Sequence, residues 1–147
     1  MELKIRFKKI LPDAFVPTYG SDFAAGADLH ALTEKEITVN PGQTVLVHTG
    51  IALEIPEGTV GLVFARSGLA TKQGLAPANK VGVIDSDYRG EIMVSIYNQS
   101  NEERIIKNGD RIAQISFLPY YTALFEQSDL LDDTGRGEGG FGSTGIN

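Results

Sequence analysis

The chain contains no cysteine. That absence excludes disulfides, thiolate zinc sites, iron–sulfur clusters and thiol catalysis, and it fits a cytoplasmic protein. Long hydrophobic runs are missing too. No window approaches the ~18 apolar residues of a membrane span, and MELKIRFKKI at the start alternates charged with apolar residues, unlike a secretory signal. Basic charge is scarce: 13 Lys and Arg against 19 Asp and Glu give a net charge of -6. This weighs against long DNA or RNA as partner, because phosphate neutralisation dominates such affinity. A small polyanion remains compatible if arginines or a bound cation offset the field locally. There is no internal repeat and no G-x-x-x-x-G-K-S/T sequence, so a P-loop NTPase is not indicated. His30 and His48 lack the spacing or partners of a metal site and read as structural or exposed.

What the sequence does hold is a series of short apolar runs rich in valine and isoleucine, separated by Pro, Gly, Asn and Asp, which is an all-β pattern. The expected strands are Leu3 to Ile10, Asp28 to Leu32, Gln43 to His48, Ile51 to Ile55, Val60 to Phe64, Glu91 to Asn98 and Arg111 to Pro119. Turns are expected at Asn40-Pro41-Gly42, Pro56-Glu57-Gly58 and Asn108-Gly109-Asp110. Only Ser67 to Gln73 reads as helix, with Ser67 as a cap and Gly74 as the stop. Many short strands without alternating helices suggest a β-sandwich or jelly roll. At 147 residues one domain is expected, burying about two thirds of its unfolded surface. Residues 1–126 read as the core domain and 127–147 as an acidic connection followed by a glycine-rich arm.

That arm, GRGEGGFGSTG from Gly135 to Gly145, holds six of the chain's 17 glycines. Glycines this dense bring little apolar surface and lose much backbone entropy on ordering, so the segment is not core. Taken alone it is a flexible linker, yet it carries nucleotide-gripping groups. Arg136 suits a phosphate, Phe141 a base, and Ser143 and Thr144 add hydroxyls among unhindered N–H donors.

Four other segments could carry chemistry. VGVIDSDYRGE, from Val81 to Glu91, reads as a hairpin; Asp85 and Asp87 either bond their own backbone or supply a general base, with Tyr88 as a flat platform beside it. A carboxylate base at neutral pH requires partial desolvation or a neighbouring carboxylate. In ARSGLATKQG, Arg66 and Ser67 stand where a strand meets the helix, which is an anion site or an ordinary cap with a surface arginine. AAGADL places Asp28 at a strand start and GDRIAQ places Gln114 within a strand; either is also satisfied by a plain structural role.

In this order and spacing, AGADL, ARSGLA, GVIDSDYRGE, GDRIAQ and GRGEGGFGSTG resemble the five motifs of the trimeric deoxyuridine triphosphatase (dUTPase) family over about residues 24–145. Ala27 departs from the larger apolar residue usual before the aspartate, which bears on local packing. The resemblance implies a jelly roll, a homotrimer with sites at subunit boundaries, and hydrolysis of dUTP to dUMP and pyrophosphate. That reaction limits uracil in DNA and supplies dUMP for thymidylate synthesis. It further implies that water attacks the α-phosphorus, with Asp85 as its base and as a contact of the 3′-hydroxyl, and Tyr88 against the deoxyribose. Ser67, with Arg66 and Gly68, would meet the phosphates, and Gln114 the α-phosphate or the attacking water. Asp28 would hold waters of a Mg²⁺ ion bound mainly by the triphosphate.

By the same resemblance the hairpin around Asn79, Gly82 and Val83 would bind uracil through its backbone, leaving groups unpaired against cytosine. Phe141 would stack on uracil, and Arg136, Gly142, Ser143 and Thr144 would close over the phosphates. The related dCTP deaminases share the fold and parts of these motifs but differ at the end. A nucleotide sensor without turnover would have no use for the base.

Overall fold

The computed structural model describes residues 2–140, so the predicted roles of Phe141, Gly142, Ser143 and Thr144 lie outside the described residues. The elements are, in order, β1 (Arg6–Lys9), β2 (Thr18–Tyr19), β3 (Ala27–His30), β4 (Ile37–Val39), β5 (Thr44–Glu54), β6 (Thr59–Phe64), α1 (Ser67–Gln73), β7 (Leu75–Pro77), β8 (Gly82–Ile84), β9 (Glu91–Asn98), β10 (Arg104–Ile106) and β11 (Arg111–Pro119). All pairings are antiparallel. The strands form a four-stranded sheet ordered β1-β5-β9-β7, a five-stranded sheet ordered β2-β3-β11-β6-β8, and the pair β10-β4. The fold is therefore all-β and jelly-roll-like, with one short helix among the described residues.

Alternation drives this arrangement. In β9 every second residue, Ile92, Val94, Ile96 and Asn98, points inward and is buried, the two-residue period of a strand with one wet face. Ile92, Val94 and Ile96 join Val47 and Ile51 of β5 and Leu29, Val63, Ile112 and Ile115 of the five-stranded sheet in one apolar cluster. Each fully buried Ile or Leu contributes about 1.5–3 kcal/mol of transfer free energy. Ala27, small for its place, is 3% exposed and belongs to the same cluster, so its short side chain leaves β3 packed. No helix among the described residues is long and apolar enough to cross a membrane.

The structure corrects several expectations. β1 covers only part of Leu3 to Ile10, and its four residues are all exposed at a sheet edge; of the described residues before it only Ile5 packs against the core. The expected strands Gln43 to His48 and Ile51 to Ile55 are one 11-residue strand, β5, whose pairing with β9 is irregular between His48 and Ala52. Gly50 lies there with φ +68°, and a Cβ on it would stand 2.5 Å from Leu32 Cδ2 and 2.8 Å from Ala14 Cβ. Only glycine meets both demands, so what reads as a strand break is a bulge.

The largest correction concerns VGVIDSDYRGE. It is not a hairpin, because β8 pairs with β6 in the five-stranded sheet while β9 pairs with β5 and β7 in the other. Asp85 to Gly90 is thus a crossover between sheets. Asn79 likewise stands between β7 of one sheet and β8 of the other, so the expected hairpin around Asn79 to Val83 is also a crossing.

Candidate active site

Of the predicted site residues, one group gathers where β3, β11 and the end of β6 lie side by side. Gln114 is opposite both Asp28 and Phe64 in the ladder. Its amide donates to Ala65 O at 3.0 Å, and its side chain crosses Gly26, where a Cβ would stand 2.8 Å from Gln114 Oε1. Asp28, 8% exposed, accepts from Arg66 Nε at 2.7 Å and from Arg111 Nη1 at 3.2 Å. Two guanidiniums thus share one carboxylate, leaving local positive charge on a chain of net charge -6. A buried carboxylate is retained at such a position only with partners of this kind.

Arg111 is the residue missed in the sequence reading, although it stands inside the quoted GDRIAQ. The adjacent His30 packs against Phe15, ring centroids 5.5 Å apart. Burial pushes its pKa below the ordinary 6.5 despite the opposing influence of Asp28, and Arg111 and Arg66 act in the same direction as burial.

Ser67 and Gly68 open α1 beside this group and are exposed. Ser67 is not the cap: the N-cap is Arg66, extended at φ −84° and ψ 126°, with no side-chain capping bond. The Ser67 hydroxyl is therefore not committed to the helix end. Gly74 stops the helix as expected, in the left-handed region with its N–H donating to Ala70 O.

A second group occupies the crossover. Asp85 is exposed, and its backbone carbonyl accepts the Tyr88 N–H at 3.2 Å. Arg89 braces the loop, its Nη1 donating to Ser86 O at 2.7 Å and Tyr88 O at 3.0 Å. Tyr88 donates its hydroxyl to Glu91 O at 3.0 Å, and its ring lies where any Cβ on Gly90 would be. The loop is thus closed on itself and presents Asp85 and Tyr88 to solvent. A cleft of ≈ 950 Å³ adjoins it, lined among others by Lys4, Arg6, Glu54, Asp85 and Arg89.

At the other end of β8, Lys80 has φ +67° and Val81 N–H donates to Asn79 O at 2.8 Å, the three-residue turn that costs a non-glycine residue strain. Beside it Gly82 is buried against Val63, whereas Val83 is 62% exposed.

These groups do not meet within one chain. Asp85 follows Ile84, which pairs with Gly61 near the start of β6, whereas Ser67 and Arg66 lie past its end. The five residue steps from Gly61 to Arg66 separate them by roughly 17 Å at 3.3 Å per residue. Arg136 is exposed, its Nε donating to Gly139 O at 2.7 Å within its own turn.

At the foot of the crossover, Glu91 binds His48 Nδ1 at 2.8 Å and accepts the Gly50 N–H at 2.7 Å. Burial alone would raise the Glu91 carboxyl, but the bonds from His48 and Gly50 outweigh it and hold the group below its ordinary 4.5. A carboxyl lowered by folding contributes stability above its unfolded pKa and loses that contribution as pH falls through the folded one. The melting-temperature advantage of wild type over Glu91→Gln is therefore expected to hold near about pH 5 and to shrink towards about pH 3. An unchanging gap across that range would remove Glu91 from the acid response.

The described donors do not cage a metal. Among the described residues no three His, Cys, Asp or Glu side chains converge, and both oxygens of Asp28 already face guanidiniums.

Comparison with known proteins matches the chain to a family. The family model described as dUTPase matches residues 13–145. A deoxyuridine 5′-triphosphate nucleotidohydrolase from Desulfitobacterium hafniense is 58% identical over 132 residues, covering 89% of this chain and 87% of the relative. One from Syntrophotalea carbinolica is 46% identical over 144 residues, covering 98% of each. Among solved structures, the Staphylococcus bacteriophage 80alpha dUTPase with dUPNHPP superposes with a TM-score of 0.84 at 27% identity, covering 97% of this chain and 99% of that one. With the motifs, the fold and these relatives in agreement, the chain belongs to the dUTPase family and is an enzyme, a dUTP diphosphatase.

Proposed function

We propose that the protein hydrolyses dUTP to dUMP and pyrophosphate at sites shared between the copies of a homotrimer. The observation that carries this reading is the division of the predicted site: a cationic group at one end of β6 and a carboxylate with an aromatic platform at the other. Phosphates suit the first, with Arg66, Ser67, Gly68 and Gln114 as their contacts. Asp85 accepts the proton of the water that attacks the α-phosphorus, and Tyr88 lies against the deoxyribose. A ribose 2′-hydroxyl would then face a ring instead of a hydrogen-bond partner. The strained crossing Asn79–Val83 presents its backbone to uracil.

A shared site brings the two ends together only if another copy contributes one of them. Support for association comes from Tyr121, Leu124, Phe125, Leu130 and Leu131, which are 85–101% exposed in the single chain; apolar groups exposed in a row mark a surface meant to be covered.

Residues 1–126 serve as the core domain and 127–147 as the arm. This division is supported by β11 ending at Pro119 and by the lack of strand or helix in 120–140. Arg136, Gly142, Ser143 and Thr144 hold the terminal phosphates and Phe141 stacks on the base. Asp28 would meet the waters of a Mg²⁺ ion held mainly by the triphosphate, and that ion would supply charge neutralisation at the pyrophosphate leaving group. The enzyme acts in the cytoplasm on a free nucleotide, with neither nucleic acid nor membrane as partner, limiting uracil in DNA and supplying dUMP.

The test is incubation with Mg²⁺ and, separately, dUTP, dCTP, dTTP and UTP, with chromatography of the products. Formation of dUMP and pyrophosphate from dUTP alone is expected. Ammonia from dCTP, or tight dUTP binding without turnover, would overturn the reading. Mixing subunits of Asp85→Asn and Gln114→Ala should restore part of the activity that each lacks; no recovery in verified mixed oligomers would place the whole site on one chain.

A further inference from the structure

We propose that Glu91, outside the residues assigned to the reaction above, is a positioning residue that sets the enzyme's discrimination between deoxyribose and ribose. It does so by locking the active-site crossover onto the β5 bulge. This inference rests on the reading of Tyr88 as the sugar platform. Glu91 pairs with Ala52 at the edge of an interruption in the β5–β9 ladder, whose register shifts between His48 and Ala52. There the Glu91 side chain substitutes for a missing ladder bond: Oε1 accepts the Gly50 N–H at 2.7 Å and Oε2 meets His48 Nδ1 at 2.8 Å. Thr49 adds a second tie, donating its hydroxyl to Ile92 O at 2.5 Å. Gly50 is itself held from behind, its carbonyl accepting the Ile10 N–H at 2.8 Å. The Glu91 backbone therefore cannot drift with the loop.

The Tyr88 hydroxyl donates to the carbonyl of this same residue at 3.0 Å. The ring is thus anchored at its far end on Glu91 and at its near end by the Tyr88 N–H on Asp85 O. A platform that rejects a hydroxyl by contact and by lack of a partner must keep its plane. A ring free to tilt would let a 2′-hydroxyl retain water, and the penalty would fall. Loss of the carboxylate leaves the Gly50 N–H unpaired at the bulge and releases the residue on which the ring is fixed.

The experiment measures kcat/KM for dUTP and for UTP in wild type, Glu91→Ala, Glu91→Gln and Tyr88→Ala. Glu91→Ala is expected to raise the UTP-to-dUTP ratio about five- to tenfold, the scale of one lost hydrogen bond. Glu91→Gln retains an acceptor for the Gly50 N–H and should stay within about twofold of wild type. A role in folding alone lowers both rates together and leaves the ratio unchanged, which overturns the proposal. If Tyr88→Ala changes the ratio and Glu91→Ala does not, the positioning role fails while the platform stands. An unchanged ratio in Tyr88→Ala removes the platform itself and this inference with it. Where Glu91→Ala does not fold, Tyr88→Phe cuts the same link from the other side while keeping the ring, and an unchanged ratio there is equally fatal.

Discussion

Replacement of Asp85 by asparagine is expected to lower dUTP turnover by about 10²- to 10⁴-fold, the range of a lost general base, while nucleotide affinity changes little. The side chain is exposed, and asparagine has nearly the same shape, so the substitution removes charge and basicity without opening a cavity. A carboxylate facing water is a weak base at neutral pH. The role assigned to it therefore depends on cover from outside the single chain: the nucleotide, the glycine-rich arm and a neighbouring copy, each of which displaces water. Binding of a non-hydrolysable dUTP analogue measured beside single-turnover rates separates the two effects. Turnover at the wild-type level in Asp85→Asn would take this residue out of the mechanism, and an equal loss of affinity would make it a binding group.

Deletion of Gly135 to Asn147 is expected to reduce turnover by about a hundredfold or more, as removal of transition-state phosphate contacts does, with a melting temperature within a few degrees of wild type. The asymmetry follows from packing. The last fully buried side chain in the apolar cluster is Ile115, and Phe117 is the last partly buried one packed on it. The described part of the deleted segment, Gly135–Gly140, makes its turn by local bonds, Gly137 N–H to Thr134 and Arg136 with Gly139. Nothing there supports the sheets. An insoluble or unfolded truncation would instead make the arm a structural element, and retained turnover would free the phosphates from it.

Much of this was legible in the sequence wherever a strand was long and alternating. β6, β9 and β11 lie within a residue of their expected bounds because their inward faces are continuous. β2, β4, β7 and β10 have two or three residues each, too few for a two-residue period to register. Which sheet a strand joins was not legible either. Gly82–Ile84 and Glu91–Asn98 look alike locally, and only tertiary pairing sends them to different layers. For the candidate site, motif order singled out Asp28, Arg66, Ser67, Asp85, Tyr88 and Gln114. It did not deliver the bonds among distant segments. Arg111 reaches Asp28 across 83 residues of sequence, and Glu91 reaches Gly50 across 41; no spacing rule connects such pairs.

The crossover has a further consequence for how the chain can vary in length. Its ends are fixed in different sheets, Ile84 opposite Gly61 and Glu91 opposite Ala52, and its interior bonds join Asp85, Ser86, Tyr88 and Arg89. One residue added or removed there shifts Tyr88 off its carbonyl and turns Asp85 to another direction. The turn at Ser21–Ala24, closed by a single backbone bond from Ala24 N–H to Ser21 O at 3.1 Å, carries no such constraint. Insertions and deletions should accumulate at turns of that kind, while the six residues from Asp85 to Gly90 keep their number even where their identities drift.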